Sequence, residues 1–387
     1  MMKLSILTQP LGRNYGGLLQ AYALQSSLKK LGCNVETLNR YRSLSRREKA
    51  KSVIKANIKK ALGCLGVTRF KNKKNNTYVN LEHFKYKFIN VSPLIDSDLK
   101  LLSYYSENHF DAIVVGSDQV WRPKYSPKLS NFFLDFCDEL NLKAKRIAYA
   151  ASFGVDEKEF TKEEEALCNP LVQKFDAISV REISGSDLLK DYFNVSSELV
   201  FDPTLLLDPK DYEDIIESDA TNTESSKGVM AYILDIDAKK NNLVNNISKT
   251  IGETATYLMN EPISSLEKNS LHGQVHPSVG DWLNHFRLAK FIVTDSFHGC
   301  VFSIIFNKPF LVVGNKERGL ARFTSLLNTF GLEDRLIINA EDLDLSLVVK
   351  PIDWERVNKI REIGKNKSIA FITQSLSITD ASTTRRV

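Results

Sequence analysis

Residues 290–314 constrain the fold of this chain more than any other stretch. Their sequence is KFIVTDSFHGCVFSIIFNKPFLVVG, in which 291–294 and 309–313 are short apolar runs and the segment between them opens with the helix-capping residues Asp295 and Ser296. This pattern predicts a strand, a helix and a second strand. Apolar strands joined in this way are typical of a parallel sheet that is buried on both faces.

His298 falls in the first turn of that predicted helix. Ligands of parallel sheets bind at the carboxyl ends of the strands, and a helix N-terminus offers unpaired backbone N–H groups and the positive end of the helix dipole. An imidazole in that position can act beside a bound anion such as phosphate. The sequence therefore predicts the active site here, with a purely structural, hydrogen-bonded histidine as the alternative.

The first residues of the chain predict a second ligand-binding loop. An apolar strand at 4–7, the loop TQPLGRNYGG, a helical pattern ending at Gly32 and a strand at 35–38 form a βαβ unit. The glycine spacing is not G-x-G-x-x-G and no acidic residue is placed to bind a ribose, which disfavours a dinucleotide site. Arg13 and Asn14 in the loop are candidates for binding an anion or a sugar.

Further apolar strands are predicted at 112–115, 146–151 and 177–180. Asp118 and Trp121 follow the first of these strands and are expected to form a sugar-binding lip, and Arg181 follows the third. Because the carboxyl ends of parallel strands meet at one edge of a sheet, these side chains are expected to converge with the glycine loop.

The length of the chain indicates two α/β domains of Rossmann-like type. Its 387 residues exceed the size of a single core, and the polar stretch 218–227 predicts a linker. The expected organisation is a first domain at 1–217, a second domain at 228–350, a C-terminal helix at 351–376 that crosses back to the first domain, and a tail at 377–387.

The positive charge of the chain is concentrated in residues 40–74, which are expected to form a basic helical insertion. Thirteen Lys or Arg and one acid give this segment a net charge of +12, which leaves −7 for the remainder of a chain whose net charge is +5. Such a segment suits an anionic membrane surface, and a solvated insertion is the alternative. No aromatic-interleaved strand or recognition-helix pattern favours a nucleic-acid partner. With no signal peptide or spanning segment in the sequence, we expect a cytoplasmic protein.

Neither a disulfide framework nor a metal site is predicted. The five cysteines are scattered and contain no C-x-x-C pair, so free thiols are expected. His272 and His276 have the spacing of two ligands on a helix, but Gly273 and Pro277 oppose a helix there.

Seven blocks of the sequence, taken together, resemble the polysaccharide pyruvyl transferase family. In order they are NYGGLLQAYAL, FDAIVVGSDQVW, RIAYAASFG, ISVRE, VFDPTLLL, TDSFHG and KERGLARF. The resemblance implies a GT-B-like pair of Rossmann-like domains, with the acceptor on the first and the donor on the second. It also implies transfer of pyruvate from phosphoenolpyruvate to two hydroxyls of a sugar, which forms a cyclic ketal.

The resemblance also implies roles for the candidate residues. His298 is the expected catalytic group, and some family members carry an arginine where this chain has Ser296. The expected donor-binding residues are Arg181, Ser296, Lys316, Arg318 and Arg322. The expected acceptor-binding residues are Arg13, Asn14, Asp118 and Trp121. Arginine suits the donor because its guanidinium holds phosphate or carboxylate through paired, charge-assisted hydrogen bonds.

The family acceptor is a capsular, exopolysaccharide or cell-wall glycan precursor, often carried on lipid. This implies a protein resting on the inner face of the cell membrane, with phosphoenolpyruvate as co-substrate and no further cofactor. Two alternatives remain at this point. One is a GT-B glycosyltransferase that uses a nucleotide sugar, and the other is a non-catalytic glycan- or phosphate-binding protein that keeps the fold.

Overall fold

Two parallel β-sheets form the framework of the protein. The computed structural model describes residues 1–42, 54, 77–221, 227–258, 275–314 and 319–378. The strands of the first sheet are β1 (Lys3–Leu7), β2 (Asn34–Arg40), β3 (Val91–Ile95), β4 (Ala112–Val115), β5 (Lys145–Ala151), β6 (Ala177–Val180) and β7 (Glu198–Leu199). Those of the second sheet are β8 (Val229–Tyr232), β9 (Ala255–Tyr257), β10 (Phe291–Thr294), β11 (Phe310–Val313) and β12 (Leu336–Ile337).

Helices connect these strands. They are α1 (Tyr15–Lys30), α2 (Val79–Phe88), α3 (Asp98–Glu107), α4 (Asp135–Glu139), α5 (Lys162–Val172), α6 (Ile183–Phe193), α7 (Pro209–Asp219), α8 (Ala238–Ile251), α9 (Val279–Leu288), α10 (Phe297–Ile305), α11 (Leu320–Phe330), α12 (Ser346–Val349) and α13 (Trp354–Leu376). Short 3₁₀ turns lie at Leu129–Phe133, Pro203–Leu206, Glu333–Arg335 and Ala340–Asp342. Polar caps start α1 and α10, because the side-chain oxygens of Asn14 and Ser296 accept from otherwise unpaired N–H groups.

The strand order places a crevice at the same edge of both sheets. The orders are β3-β2-β1-β4-β5-β6-β7 and β12-β11-β10-β8-β9, and the strand pairs within each sheet are parallel. The order reverses between β1 and β4 in the first sheet and between β8 and β10 in the second. Ligands of such sheets bind outside the carboxyl ends of the strands at these reversals. The predicted α/β class with two Rossmann-like domains is confirmed.

The predicted linker at 218–227 begins too early, because α7 continues to Asp219. The Asp219 carboxylate accepts a hydrogen bond from the Gly280 N–H at 2.9 Å, and Thr221 bonds to Asp281, so this end of the helix is held against α9. The boundaries of the two domains themselves stay a prediction.

The C-terminal helix α13 crosses from the second domain to the first, as predicted. Near its start Arg361 donates to the Ile305 carbonyl at 3.3 Å, and further along the Ser368 hydroxyl accepts from the Phe201 N–H at 2.9 Å. Its last turns bury Phe371 and Leu376 in the hydrophobic cluster that also contains side chains of β1.

Within the predicted basic insertion, residues 43–53 and 55–74 lie outside the described residues. Arg40, which the sequence analysis counts in that insertion, is the last residue of β2 and is buried, with Nη2 donating to Asp98 at 2.6 Å and to Asn131 at 2.9 Å. Four cysteines, Cys33, Cys137, Cys168 and Cys300, are buried free thiols, as predicted. None of the described helices is long and apolar enough to cross a membrane.

Candidate active site

A cleft of about 360 Å³ lies between the carboxyl edges of the two sheets. The first domain lines it with Gln9, Pro10, Asn14, Gly17, Asp118, Gln119 and Tyr125. The second domain lines it with Leu234, Asp295, Ser296, Phe297, His298, Arg322 and Phe323. Both points at which the strand order reverses therefore face the same cavity. Five of the residues predicted from the sequence line it, namely Asn14, Asp118, Ser296, His298 and Arg322.

Helix N-termini point at this cleft from both domains. Asn14 caps α1, with its side-chain oxygen accepting from the Gly16 N–H at 2.9 Å, and Ser296 caps α10 by accepting from the Gly299 N–H at 3.3 Å. Arg322 lies in the first turn of α11. The dipoles of these helices and the guanidinium together favour a bound anion.

Asp295 supports the second domain's side of the cleft. Its carboxylate accepts hydrogen bonds from the Leu234 and Asp235 N–H groups and from Lys240 Nζ, the last at 2.7 Å. The ion pair is buried. Asp295 thus holds the loop after β8 against the start of α10, which fixes the position of Leu234 in the cleft wall.

His298 is enclosed at the base of the cleft and is only 7% exposed. Its Nε2 lies 3.8 Å from Asp202 Oδ2, which is too far for a hydrogen bond, and has no hydrogen-bond partner among the described residues. The other side of the ring lies against Gly16, where no Cβ would fit. Burial, reinforced by the charge of Arg181 and opposed by Asp202, lowers the pKa of His298 to about 4. The imidazole is therefore neutral at pH 7.

Asp202 organises the floor beneath His298, and the sequence analysis did not identify it. Its carboxylate accepts from Arg181 Nη1 at 2.8 Å, from the Thr204 N–H and hydroxyl, and from Gln20 Nε2. Burial raises the pKa of Asp202, but His298, Arg181 and the Thr204 hydrogen bonds outweigh it and hold that pKa below its ordinary value. The sequence around Asp202 is D-P-T, which is typical of a capped turn and does not indicate a contact with the distant His298.

Arg181 does not line the cleft. Its guanidinium is buried, is paired with Asp202, and lies 4.9 Å from the centre of the Phe297 ring. Arg322 packs against the same ring at 5.5 Å and does line the cleft. Burial and the charge of Arg181 lower the pKa of Arg322 to about 10, so it remains a cation at neutral pH. Donor binding by either arginine stays a prediction.

The predicted place of Trp121 at a sugar-binding lip is wrong. Its side chain is 0% exposed, stacks on Phe133 at 5.3 Å, and donates from the indole N–H to the Phe132 carbonyl at 3.0 Å. The chain turns back into the core directly after Gln119, so the apolar indole is buried. Arg13 is exposed with its guanidinium 5.9 Å from the Tyr78 ring, outside the cleft lining. Lys316 and Arg318 lie outside the described residues.

Gln9, Pro10, Gln119 and Tyr125 also line the cleft from the first domain and were not among the predicted site residues. Gln9 and Gln119 follow the ends of β1 and β4 within a few residues, so proximity to a strand end was a usable signal. No group of three His, Cys, Asp or Glu side chains in the described parts of the chain has the geometry to hold a metal ion.

Several solved structures of low sequence identity share the fold. A protein assigned as a UDP-N-acetylglucosamine 2-epimerase from Listeria monocytogenes matches with a TM-score of 0.55 and 13% identity over 98% of each chain. The UDP-GlcNAc 2-epimerase of Neisseria meningitidis bound to UDP-GlcNAc matches with a TM-score of 0.52 and 9% identity, over 98% of this chain and 100% of the other. Arabidopsis thaliana UGT89C1 complexed with UDP-L-rhamnose matches with a TM-score of 0.53 and 9% identity, over 96% of this chain and 98% of the other. At these identities the likeness establishes a GT-B-like fold alone.

A comparison with curated proteins gave no match. The family model described as polysaccharide pyruvyl transferase matches residues 14–317. That range covers most of the chain and contains the cleft residues Asn14, Asp118 and His298 and the buried Asp202 beneath His298. The chain therefore belongs to the polysaccharide pyruvyl transferase family, which makes it a transferase with a sugar or polysaccharide acceptor.

Proposed function

We propose that the protein transfers pyruvate from phosphoenolpyruvate to two hydroxyls of one sugar in a polysaccharide or lipid-linked glycan precursor, forming a cyclic ketal. The observation that carries this proposal is the surroundings of His298. A neutral imidazole lies in a cleft that also contains the Arg322 guanidinium and receives helix N-termini from both domains. Such a site suits a small, highly charged donor that must be protonated on carbon.

The second domain provides the donor side. Arg322 and the N–H groups that begin α10 would hold the phosphate and carboxylate of phosphoenolpyruvate. Ser296, where some relatives have arginine, contributes its capping hydroxyl and no charge, so Arg322 supplies the cation in this chain. Lys316 and Arg318 precede α11 by a few residues and are proposed as additional donor ligands.

The chemistry requires one proton to move to carbon and two oxygens to reach one carbon. A proton is added to the methylene carbon of phosphoenolpyruvate, which makes the central carbon electrophilic. One sugar hydroxyl adds to that carbon and loses its proton. The bond from carbon to the phosphate oxygen then breaks with its electron pair, and the second hydroxyl adds and gives its proton to the departing phosphate. The products are the pyruvate ketal and hydrogen phosphate.

His298 is the group proposed to move the first proton. It is neutral in the free protein, and the negative charge of a bound phosphoenolpyruvate raises the pKa of a neighbouring imidazole. The charged ring then donates to the methylene carbon and takes the proton back from the first hydroxyl. Acid–base groups of this kind typically contribute about 10²–10⁴ in rate.

The first domain provides the acceptor side. Asp118 lies in the cleft with Oδ1 accepting from the Gln119 N–H at 2.9 Å, and Asn14 lies beside it at the start of α1. We propose that the Asp118 carboxylate and the α1 N-terminus orient the two hydroxyls toward the donor carbon.

The test is phosphate release from phosphoenolpyruvate with galactose-, mannose- and N-acetylhexosamine-terminated acceptors, with mass spectrometry of the products. A sugar carrying one ketal-linked pyruvate is the expected product, and His298→Gln is expected to lower the turnover by about 10²–10⁴. UDP and UDP-sugars, the ligands named for the structural neighbours, serve as comparison ligands in thermal-shift measurements. Stabilisation by UDP-sugars alone would favour a glycosyltransferase, and glycan binding without turnover would favour a non-catalytic protein.

We also propose that the basic residues between 42 and 74 hold the protein against the inner face of the cell membrane, where lipid-linked precursors are available. The support is the charge of the segment, since each Lys or Arg near an anionic surface contributes about 1 kcal/mol. Deletion of residues 46–74 is expected to abolish co-sedimentation with phosphatidylserine vesicles and to leave activity on a soluble acceptor intact. Unchanged vesicle binding by the deletion variant would reject this proposal.

A further inference from the structure

An exposed aromatic ring lies on the first domain's side of the cleft. Tyr125 lines the cavity and is 49% exposed, whereas the nearby Trp121 is fully buried. An aromatic ring that borders a cavity offers apolar surface that a bound ligand can cover.

An ion pair lies against one face of this ring. The guanidinium carbon of Arg122 lies 4.6 Å from the centre of the Tyr125 ring. Arg122 is itself buried and binds Glu159 through two hydrogen bonds, each of 2.9 Å. One face of the tyrosine is thus covered by a cation that is held in place by a carboxylate fork. A ring that is already oriented loses little conformational freedom when a ligand stacks on it.

The chain on either side of Tyr125 is also held. Gln9 Nε2 donates to the Gln119 carbonyl at 2.8 Å and to the Ser126 hydroxyl at 3.2 Å. The Ser126 hydroxyl in turn donates to the Val120 carbonyl at 2.6 Å. These bonds connect the loop after β1 to the loop after β4, so the tyrosine and the two glutamines form one rigid edge of the cleft.

The lining of this side matches a sugar rather than an anion. Of the described residues that the first domain contributes to the cleft, Asp118 carries the one formal charge, and Gln9, Gln119 and Asn14 offer amides. A pyranose presents C–H groups of partial positive charge on one face and hydroxyls at its rim. The C–H face suits the negative face of an aromatic ring, and the hydroxyls suit amides and a carboxylate.

We infer that Tyr125 is the stacking platform for the acceptor. A pyranose with an unsubstituted C–H face lies on the ring face opposite Arg122, with its hydroxyls toward Asp118 and the two glutamines. The inference rests on the proposed function, since it names how that reaction's acceptor is bound. It makes Tyr125 a binding residue for the sugar and gives it no contact with phosphoenolpyruvate, which the second domain holds.

The test compares the Michaelis constants of the two substrates. Tyr125→Ala is expected to raise KM for the acceptor roughly tenfold and to leave KM for phosphoenolpyruvate within about twofold. Tyr125→Trp and Tyr125→Phe keep an aromatic ring and are expected to retain most of the acceptor affinity. Tyr86 is the matched control, because it is 63% exposed with Lys85 Nζ 4.4 Å from its ring centre and lies outside the cleft. Tyr86→Ala is expected to change neither constant.

A second measurement separates failure of this inference from failure of the proposed reaction. Binding of the same glycans is followed by saturation-transfer NMR in the absence of phosphoenolpyruvate. Glycan binding that is lost in Tyr125→Ala, with no ketal formed by the wild-type protein, would reject the reaction and support the platform. Ketal formation by Tyr125→Ala at the wild-type acceptor KM, with a folded protein by thermal shift, would reject the platform and support the reaction.

Discussion

His298 shows how its surroundings set the chemistry of a single side chain. The sequence places an imidazole at a helix N-terminus, where it could serve equally as an acid or a base. In the structure, burial and the nearby Arg181 charge bring its pKa to about 4 although Asp202 opposes them. The imidazole of the free protein is therefore neutral, and in the proposed reaction the anionic donor would raise its pKa again.

This lowered pKa predicts a pH-dependent loss of stability. The ordinary pKa is 6.5 and the folded value is about 4. Between these values the unfolded chain binds the proton more tightly, so the stability from this histidine is complete above pH 6.5 and is lost as the pH falls toward 4. Between pH 7 and pH 4.5 the loss amounts to about 2–3 kcal/mol, from about 1.4 kcal/mol per pKa unit. Urea unfolding at pH 7 and pH 4.5 measures it.

The control for this prediction is His298→Gln, which cannot titrate. The difference in unfolding free energy between pH 7 and pH 4.5 is expected to be smaller in the variant by that amount. Burial also lowers the pKa of His276 and of His285, but both histidines are present in both proteins and cancel in the comparison. Equal pH dependence of the two proteins would show that His298 is not held neutral by the fold.

Adding one methyl group at Gly16 tests the contact between α1 of the first domain and His298 of the second. A Cβ at Gly16 would overlap the His298 imidazole, whereas a Cβ at the next residue, Gly17, would find its nearest neighbour, Asp118 Oδ2, at 3.7 Å. Gly16→Ala is therefore expected to displace the imidazole and to lower kcat by about 10²-fold or more. Gly17→Ala adds its methyl group to the cleft wall without overlapping the imidazole, so a smaller loss of kcat is expected. Steady-state kinetics of the two variants check this, and equal activities would contradict the contact.

Which site residues the sequence reveals depends on how local their signal is. Ser296 was identifiable because helix caps are set by a few adjacent residues, and Asn14 because it lies in the glycine loop that follows the first strand. Asp202 and Tyr125 could not be identified from local sequence. Asp202 lies near a histidine 96 positions away, and the place of Tyr125 depends on a loop that Gln9 holds. The position of Trp121 was predicted wrongly, because the residue types near a strand end do not show whether the chain next turns outward or back into the core.

At the scale of elements, buried strands were predictable and edge elements were not. Three short apolar runs form strands as predicted, because strands of a parallel sheet are buried on both faces and are therefore apolar throughout. They are residues 112–115 (β4), 177–180 (β6) and 291–294 (β10). β3 was not assigned, because this edge strand contains Pro93 and exposed side chains. Helices such as α5 and α7 were also unassigned, since they are largely polar and bury one narrow face.

The crossing of α7 and α9 predicts a strict requirement for glycine at position 280. A Cβ there would lie 2.6 Å from the Asp219 carbonyl carbon, and backbone cannot move aside as a side chain can. Gly280→Ala is expected to lower the free energy of unfolding by about 1–3 kcal/mol, the usual effect of overpacking. Chemical denaturation measures this, with Gly17→Ala as the control for adding a methyl group without a clash. A stability equal to that of the control would mean that the helices separate freely.

At the scale of the whole molecule, the two sheets share one apolar core. Leu18 and Leu19 of α1 belong to the same buried cluster as Trp282 of α9 and Phe302 of α10. Tyr15 stacks on Trp282 with ring centres 5.4 Å apart and donates from its hydroxyl to the Pro277 carbonyl at 2.8 Å. Apolar surface of this kind is exposed to water if either domain unfolds alone, so each domain stabilises the other.

This shared core predicts that the protein unfolds in one transition. Scanning calorimetry is expected to show a single peak whose calorimetric and van't Hoff enthalpies agree. Phe371→Ala, which removes a buried ring of α13 from the cluster around β1, is expected to lower the stability of the whole chain by about 3–5 kcal/mol and to shift that peak without splitting it. Leu99→Ala, at an exposed position of α3, should leave the peak in place. Two peaks, of which Phe371→Ala moves only one, would show that the domains unfold independently. The candidate cleft would then lie between two separately stable domains.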